Sequence, residues 1–370
     1  MMIPMMPSYL STMSFAVERL GPIMEPEPGN PLECAGVLNP AGVTGPDGAY
    51  YLFPRLVAAG NYSRIGIARV RRDAAGRPVG VERLGLALEP ETRDELVRPG
   101  VGGCEDPRVT YVAALDAYVM AYTALGSSGA KVALAMSRDL RQWERLGLVD
   151  FATEAGADFN RFVDKDALLL PRPVRGPDGR WALAMLHRPI YEAWAEEAGL
   201  TLRLAPPDGV RDARPSIWLS YCPLEEARRW VHGRGPARFA QHHLLATPVQ
   251  SWEADRIGGG TVPLLTAWGW LMLYHGVHRS PDGARCYRAG MLLLDRDDPR
   301  IVRARSVSPT FGPETADERV GVVGNVVFPE AVAARAGGID VYYGMADSRI
   351  GAAHLRPMWR GVEHARRLAA

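Results

Sequence analysis

The residues best suited to chemistry sit at the openings and closings of five recurring phrases. Openings supply Asn39, the run Glu105 to Arg108, Asp164 to Asp166, Thr261 and Asn325; closings supply Arg55, His187 with Arg188, His275 and Asp347. Carboxylates and amides bind hydroxyl groups, and Trp270, Tyr274 and Tyr343 lie where they could offer flat apolar faces to a sugar ring. The basic members Arg55, Lys165, Arg188 and His275 either pair these carboxylates as structure or hold a dianion such as phosphate. Lys165 stands out because it and Lys131 are the only lysines among 43 basic residues.

Each phrase reads as a short apolar strand, a turn and an aromatic-rich strand, as in NPAGVTGPDGAYYLFPRL from Asn39 or EDPRVTYVAALDAYVMAYTAL from Glu105. A third strand follows after a gap: RIGIARV, KVALAMS, SIWLSYC, YRAGMLLLD and IGAAHL. Apolar runs of this length bounded by Gly, Pro and Asp signal strands, and TGPDG and RGPDG carry the residues that tight turns select. The repeat unit is therefore a small antiparallel meander.

Aromatic strands begin near Tyr50, Tyr118, Trp181, Trp270 and Val341, a wider spacing than the roughly 40 to 50 residues of common propeller repeats, so long loops are expected. Five meanders in series cannot each bury a face alone, and radial arrangement solves both burial and exposed edges. The predicted fold is all-β: one five-bladed β-propeller domain with blades at approximately 36–100, 101–160, 161–250, 251–320 and 321–354. Residues 190–214 read as an insertion in the third blade and 355–370 as a short C-terminal helix. A β-sandwich, or two stacked all-β domains, is the alternative. In a propeller the first strand of each blade lines the central channel, which would bring the polar openings to one mouth.

Composition narrows the partners. The chain has 370 residues, 47% of them hydrophobic, and a net charge of +1, with no basic run long enough for nucleic acid or an anionic membrane surface. Four widely spaced cysteines, Cys34, Cys104, Cys222 and Cys286, form no CxxC pair and argue against a zinc site or disulfide framework. The adjacent His242 and His243 lack a matching third ligand, and Gly258 to Gly260 are followed by Thr and Pro rather than by a P-loop Lys. No export signal or membrane span is read, so a cytoplasmic protein is expected, and exposed blade faces leave room for a homo-oligomer.

Taken together and in order, GGCEDPRV, DKDALLLP, LHRP, GWLMLYHGV, GNVVFPE and VYYGMAD closely resemble the motifs of glycoside hydrolase family 130, the β-mannoside phosphorylases and related β-mannosidases, from about Gly36 to about Ala353. The resemblance implies a five-bladed propeller and an inverting enzyme that uses a single carboxylic acid. It makes Asp106 the proton donor, acting on the glycosidic oxygen through the 3-hydroxyl of the mannosyl unit, while inorganic phosphate attacks the opposite face. It puts Arg55, Lys165, Arg188, His275 and Tyr287 in or near a phosphate site, and Asn39, Asp166 and Asp347 on sugar hydroxyls. Glu105 either joins them or supports the motif by an ion pair with Arg108. The implied partners are a β-mannoside oligosaccharide and phosphate, with no cofactor or metal.

A hydrolytic member would instead need a carboxylate to activate water, for which Glu314 and Glu318 are available, and a third reading is a carbohydrate-binding propeller without catalysis. Three departures from the family pattern are Val163 ahead of DKD, with Arg161 nearby, Asp317 ahead of Glu318, and the 190–214 insertion.

Overall fold

A computed structural model describes residues 14–98, 100–195, 200–230, 232–233 and 237–358. The chain is all-β, and its two α-helices among the described residues are the short segments Leu224–Trp230 and Ala316–Arg319. Every aromatic strand read from the sequence is a strand here: Tyr50–Ala58, Ala117–Gly126, Trp181–Ile190, Gly269–Arg279 and Gly338–Met345. Each pairs on one side with the strand that opens its phrase and on the other with the third strand, so five antiparallel meanders follow one another along the chain. The first two meanders share one sheet through a short parallel contact of Tyr62 and Ser63 with Gly102 and Gly103.

Burial follows the same order. Among the described residues, Phe53, Ile65 and Met120 pack the first meander on the second; Val119, Leu183 and Trp218 the second on the third; and Leu219, Trp270 and Tyr274 the third on the fourth. Leu273, Met291 and Val341 join the fourth to the fifth, and Val37, Leu52, Tyr342 and Ala352 join the fifth back to the first. Neither face of a meander is left to water, which is why the strands read as nearly continuous apolar runs rather than as alternation.

Two features differ from expectation. Phe15–Met24 is a strand that pairs antiparallel with Arg349–Pro357, so the last meander gains an outer strand from the start of the described chain. The expected helix from 355 does not begin there: Leu355, Arg356 and Pro357 continue the strand because Val17, Ala16 and Phe15 supply their ladder. Residues 359–370 lie outside the described residues. The 190–214 insertion forms a hairpin of Glu192–Ala195 with Leu200–Arg203.

Four of the five opening strands share one local device. Their pairing registers skip at Leu38/Ala41, Glu105/Arg108, Lys165/Leu168 and Pro329/Ala331, and Asn39, Asp106 and Asp166 adopt positive φ of 45°, 45° and 57°. Asn and Asp tolerate the left-handed region better than other side chains, and a bulge re-aims the side chain it carries. Pro40 and Pro107, which cannot donate to a ladder, fall inside these bulges.

Candidate active site

Asp106 lies at the bulge of Val101–Val112, where its Oδ1 accepts hydrogen bonds from Asn39 Nδ2 at 2.9 Å and Arg55 Nη1 at 3.1 Å. Arg55 is fixed on its other sides: Nε donates to Ser63 Oγ at 2.9 Å, and Nη2 to Glu105 Oε1 at 2.7 Å and to Asn61 Oδ1 at 3.2 Å. Lys165 Nζ reaches Glu105 Oε2 at 3.2 Å. Asp347, just beyond the fifth aromatic strand, faces the same group, because Asp106, Arg55, Glu105 and Lys165 all act on its charge. Asn39, Arg55, Glu105, Asp106, Lys165 and Asp347 thus form one constellation.

A second constellation adjoins it through Asp166. Arg188 Nε donates to Asp166 Oδ2 at 2.5 Å, and His275 Nε2 lies 3.5 Å from the same oxygen. Gly258 permits this approach, since a Cβ there would collide with the Asp166 carboxylate and the His275 ring. Tyr287 is placed 6.3 Å from His275, ring to ring, and accepts at its hydroxyl from Arg256 Nη2 at 2.9 Å. All ten expected site residues therefore gather in this region.

Electrostatics divide the carboxylates. Burial works to raise Asp106, but Arg55, Lys165, the Asn39 hydrogen bond and Arg108 outweigh it and hold the carboxyl below its usual range. Burial likewise opposes ionisation of Asp166, and the charge and hydrogen bond of Arg188, with Arg108, more than offset it and hold the carboxyl well below its usual range. Asp347 goes the other way: burial, with Asp106 and Glu105 adding repulsion, pushes it up to about 6. His275 is not one of the cations. Burial, helped by Arg188, Arg108 and Arg256, lowers it to about 3, so it enters the site as a neutral imidazole.

Two residues were missed in the sequence. Arg256, two positions ahead of the glycine run, is lowered by burial and by repulsion from Arg188, and among the described residues no carboxylate lies within ion-pair distance of it. Arg188 Nη1 is also buried without a hydrogen-bond partner. Arg188 and Arg256 thus repel each other, and Arg188 keeps an unused donor. Behind Asp106, Arg108 Nη1 donates to the Asp106 carbonyl at 3.0 Å and pairs with Glu330 Oε1 at 2.6 Å, while Nε donates to the Gly260 carbonyl at 2.5 Å. Its guanidinium thus binds three meanders together beneath the acid. The FPE of the fifth phrase was the only signal for Glu330.

Several other expected members belong to the core. Trp270, Tyr274 and Tyr343 are buried, and their polar ends are taken by the Arg296 carbonyl, Glu253 and Glu318; none offers a face to a sugar. Thr261 Oγ1 accepts from the Leu273 amide. Asp164 and His187 point away from Lys165 and Arg188 into a buried chain: Asp164 Oδ2 to His187 Nδ1 at 2.6 Å, His187 Nε2 to Ser220 Oγ at 2.8 Å, and Ser220 Oγ to His242 Nδ1 at 2.8 Å. Asp317 pairs with Arg349. Among the described residues no group of three or more His, Cys, Asp or Glu is placed to hold a metal ion.

The comparisons with known proteins agree on one lineage. Residues 37–357 match the family model described as β-1,4-mannooligosaccharide phosphorylase. The chain is 30% identical over 341 residues to a 1,2-β-oligomannan phosphorylase of Thermoanaerobacter sp. (strain X514), covering 90% of this chain and 94% of that protein. It is 29% identical over 247 residues to a β-1,2-mannobiose phosphorylase of Listeria innocua, covering 66% of this chain and 56% of that one. The solved structure of a Listeria innocua β-1,2-mannobiose phosphorylase with β-1,2-mannobiose superimposes with a TM-score of 0.66 at 22% identity, over 92% of this chain and 96% of that one. On the family match and the full-length relative, the chain belongs to glycoside hydrolase family 130.

Proposed function

We propose that this protein is an inverting β-mannoside phosphorylase that converts a β-mannoside and inorganic phosphate into α-mannose 1-phosphate and a shortened acceptor. The observation that carries this reading is the juxtaposition of Asp106 with Lys165, whose cross-strand neighbour Arg188 keeps a buried free donor and is repelled by Arg256. A dianion bound there offsets that repulsion. His275, as a neutral imidazole, adds hydrogen-bonding capacity without adding charge, and the Tyr287 hydroxyl lies beside it on Arg256.

Asp106 is the acid in this reading, with Asn39 and Arg55 fixing its carboxylate. Its proton passes to the glycosidic oxygen, by the family resemblance through the mannosyl 3-hydroxyl, while phosphate attacks C1 from the other face. Asn39, Asp166 and Asp347 serve sugar hydroxyls, and Glu105 holds Arg55 and Lys165 in place. No cofactor or metal takes part.

Relatives named for phosphorolysis of mannooligosaccharides and mannobiose support the substrate class. The single-domain five-bladed propeller is supported by five meanders whose cores run from first to fifth and back to first. Four unpaired thiols suit a cytoplasmic location.

An inverting β-mannosidase needs a base for water, and both sequence candidates are engaged in other contacts. Glu318 is buried, with Arg19, Tyr343 and the amides of Glu314 and Thr315 on its oxygens. Glu314, 68% exposed, is tied to Arg19. The feature a hydrolase could use is the separation of Asp106 from Asp347, two neighbouring carboxyls whose surroundings push them apart. Proton NMR of the sugar product from a mannobiose distinguishes the readings: α-mannose 1-phosphate supports phosphorolysis, and free mannose as the sole product contradicts it.

A further inference from the structure

A general acid must carry a proton, and the surroundings of Asp106 in the free protein oppose that. Its Oδ1 takes two donors, Asn39 Nδ2 and Arg55 Nη1, and both favour the carboxylate. Charged groups face it from every packed strand: Arg55 from Tyr50–Ala58, Glu105 and Arg108 from its own strand, Lys165 from Val163–Leu169, Glu330 from Val327–Arg335, and Asp347 beyond Gly338–Met345. Burial pushes Glu330 well above the usual carboxyl range, so it contributes little negative charge, and the cations prevail. Nor can Arg55 readily swing away, because Ser63, Asn61 and Glu105 hold its other nitrogens. What can change is the charge around the carboxyl.

We infer that arrival of the phosphate dianion is what allows Asp106 to take a proton from solvent: by offsetting the positive charge of Lys165, Arg188 and Arg256, it makes co-substrate binding and loading of the acid one event. This inference rests on the phosphorylase reading. The free enzyme binds HPO4 2− and one proton together. In the chemical step that proton goes to the leaving oxygen, the C1–O bond to the acceptor breaks and a C1–O bond to phosphate forms. Asp106 is left as a carboxylate beside the mannosyl phosphate monoanion, and the ester then sheds its remaining acidic hydrogen, returning one proton to solvent. The coupling has a functional consequence: a mannoside that enters before phosphate meets an unprotonated Asp106 and is not lost to water.

Sulfate tests this, because it is a dianion of phosphate's shape that cannot itself titrate near neutrality. Calorimetry of sulfate binding in buffers of low and high ionisation enthalpy reads the protons taken up. In the Asp347→Asn background, which removes the neighbouring carboxyl, uptake of roughly half a proton or more per sulfate is expected at pH about 6, falling to near zero when Asp106→Asn is added. In the same Asp347→Asn background, sulfate affinity should strengthen up to about tenfold per unit fall in pH across the range where Asp106 loads, and lose that slope when Asp106→Asn is added. Sulfate binding with no proton uptake, or with equal uptake with and without Asp106, overturns the coupling. Failure of both sulfate and phosphate to bind is a different result, and overturns the phosphorylase reading on which the coupling rests.

Discussion

Arg108 Nη1 lies 2.6 Å from Glu330 Oε1, and both side chains are fully buried. This ion pair sits directly beneath Asp106, whose carbonyl the same Arg108 nitrogen contacts. Its two halves are not equivalent, because Glu330 is already driven toward its neutral form by burial. Arg108→Met, which also strips donors from the carbonyls of Asp106, Gly259 and Gly260, should cost about 3 to 5 kcal/mol. Glu330→Gln should cost about 1 kcal/mol or less, since a neutral acceptor remains. Urea unfolding of the two variants checks the asymmetry.

Asp106→Asn keeps the shape of the side chain and an oxygen for Arg55, but cannot supply the proton. Turnover should fall roughly 10²- to 10⁴-fold with substrate affinity retained. Steady-state kinetics beside calorimetric mannoside binding measure the two effects. A non-catalytic sugar-binding protein would have shown no turnover to lose.

Lys165 is 27% exposed and, among the described residues, pairs with the single carboxylate Glu105, so it can be altered with little disturbance of the core. Lys165→Gln should raise the KM for phosphate roughly 10- to 100-fold, by loss of a charged hydrogen bond, and leave the KM for the mannoside within about threefold. A rise confined to the mannoside would assign Lys165 to the sugar instead.

The five phrases located the five meanders, and of their polar openings Asn39, Glu105, Asp106, Lys165 and Asp166 reach the site while Asp164 and Thr261 turn into the core. What the phrases could not convey is conformation and field. The left-handed bulges at Asn39, Asp106 and Asp166 are invisible in strand periodicity, although Asn and Asp before small or cyclic residues are compatible with them. His275 looks like a cation until burial and three guanidinium groups are counted. Arg256 lay just outside a phrase counted from Gly258, and the aromatic residues chosen as sugar platforms are instead buried between meanders. The outer strand Phe15–Met24 could not be paired from sequence, because its partner, Arg349–Pro357, is at the far end of the chain.

Glu318→Gln separates structure from catalysis. Its oxygens accept from Arg19, Tyr343 and two backbone amides, so the variant should lose about 1 to 3 kcal/mol of stability. The kcat of the folded protein should change less than about threefold, whereas a base for water would drop it by roughly 10² or more. Thermal unfolding and kcat measured on the same preparation decide between them.

Asp347 gives a pH signature. Its carboxyl in the folded protein, pushed up to about 6, lies above the ordinary carboxyl value near 3.9 of an unfolded chain. The native state therefore binds more protons between those values, and stability falls as pH rises through about 4 to 6. Above that window Asp347→Asn should stabilise the fold, by at most about 3 kcal/mol, and below about pH 4 it should be neutral. Unfolding curves for the variant and the parent at pH about 4 and 7.5 reveal the sign.

The central claim is that phosphate, not water, attacks the mannosyl carbon. The most direct measurement is incubation of the purified protein with β-1,2- and β-1,4-mannobiose, with and without phosphate, following mannose 1-phosphate and free mannose separately. Equal amounts of mannose 1-phosphate and mannose, formed only when phosphate is present, are predicted for the preferred linkage. Two free mannoses per mannobiose regardless of phosphate would contradict the account and return Lys165, Arg188 and Arg256 to a structural role.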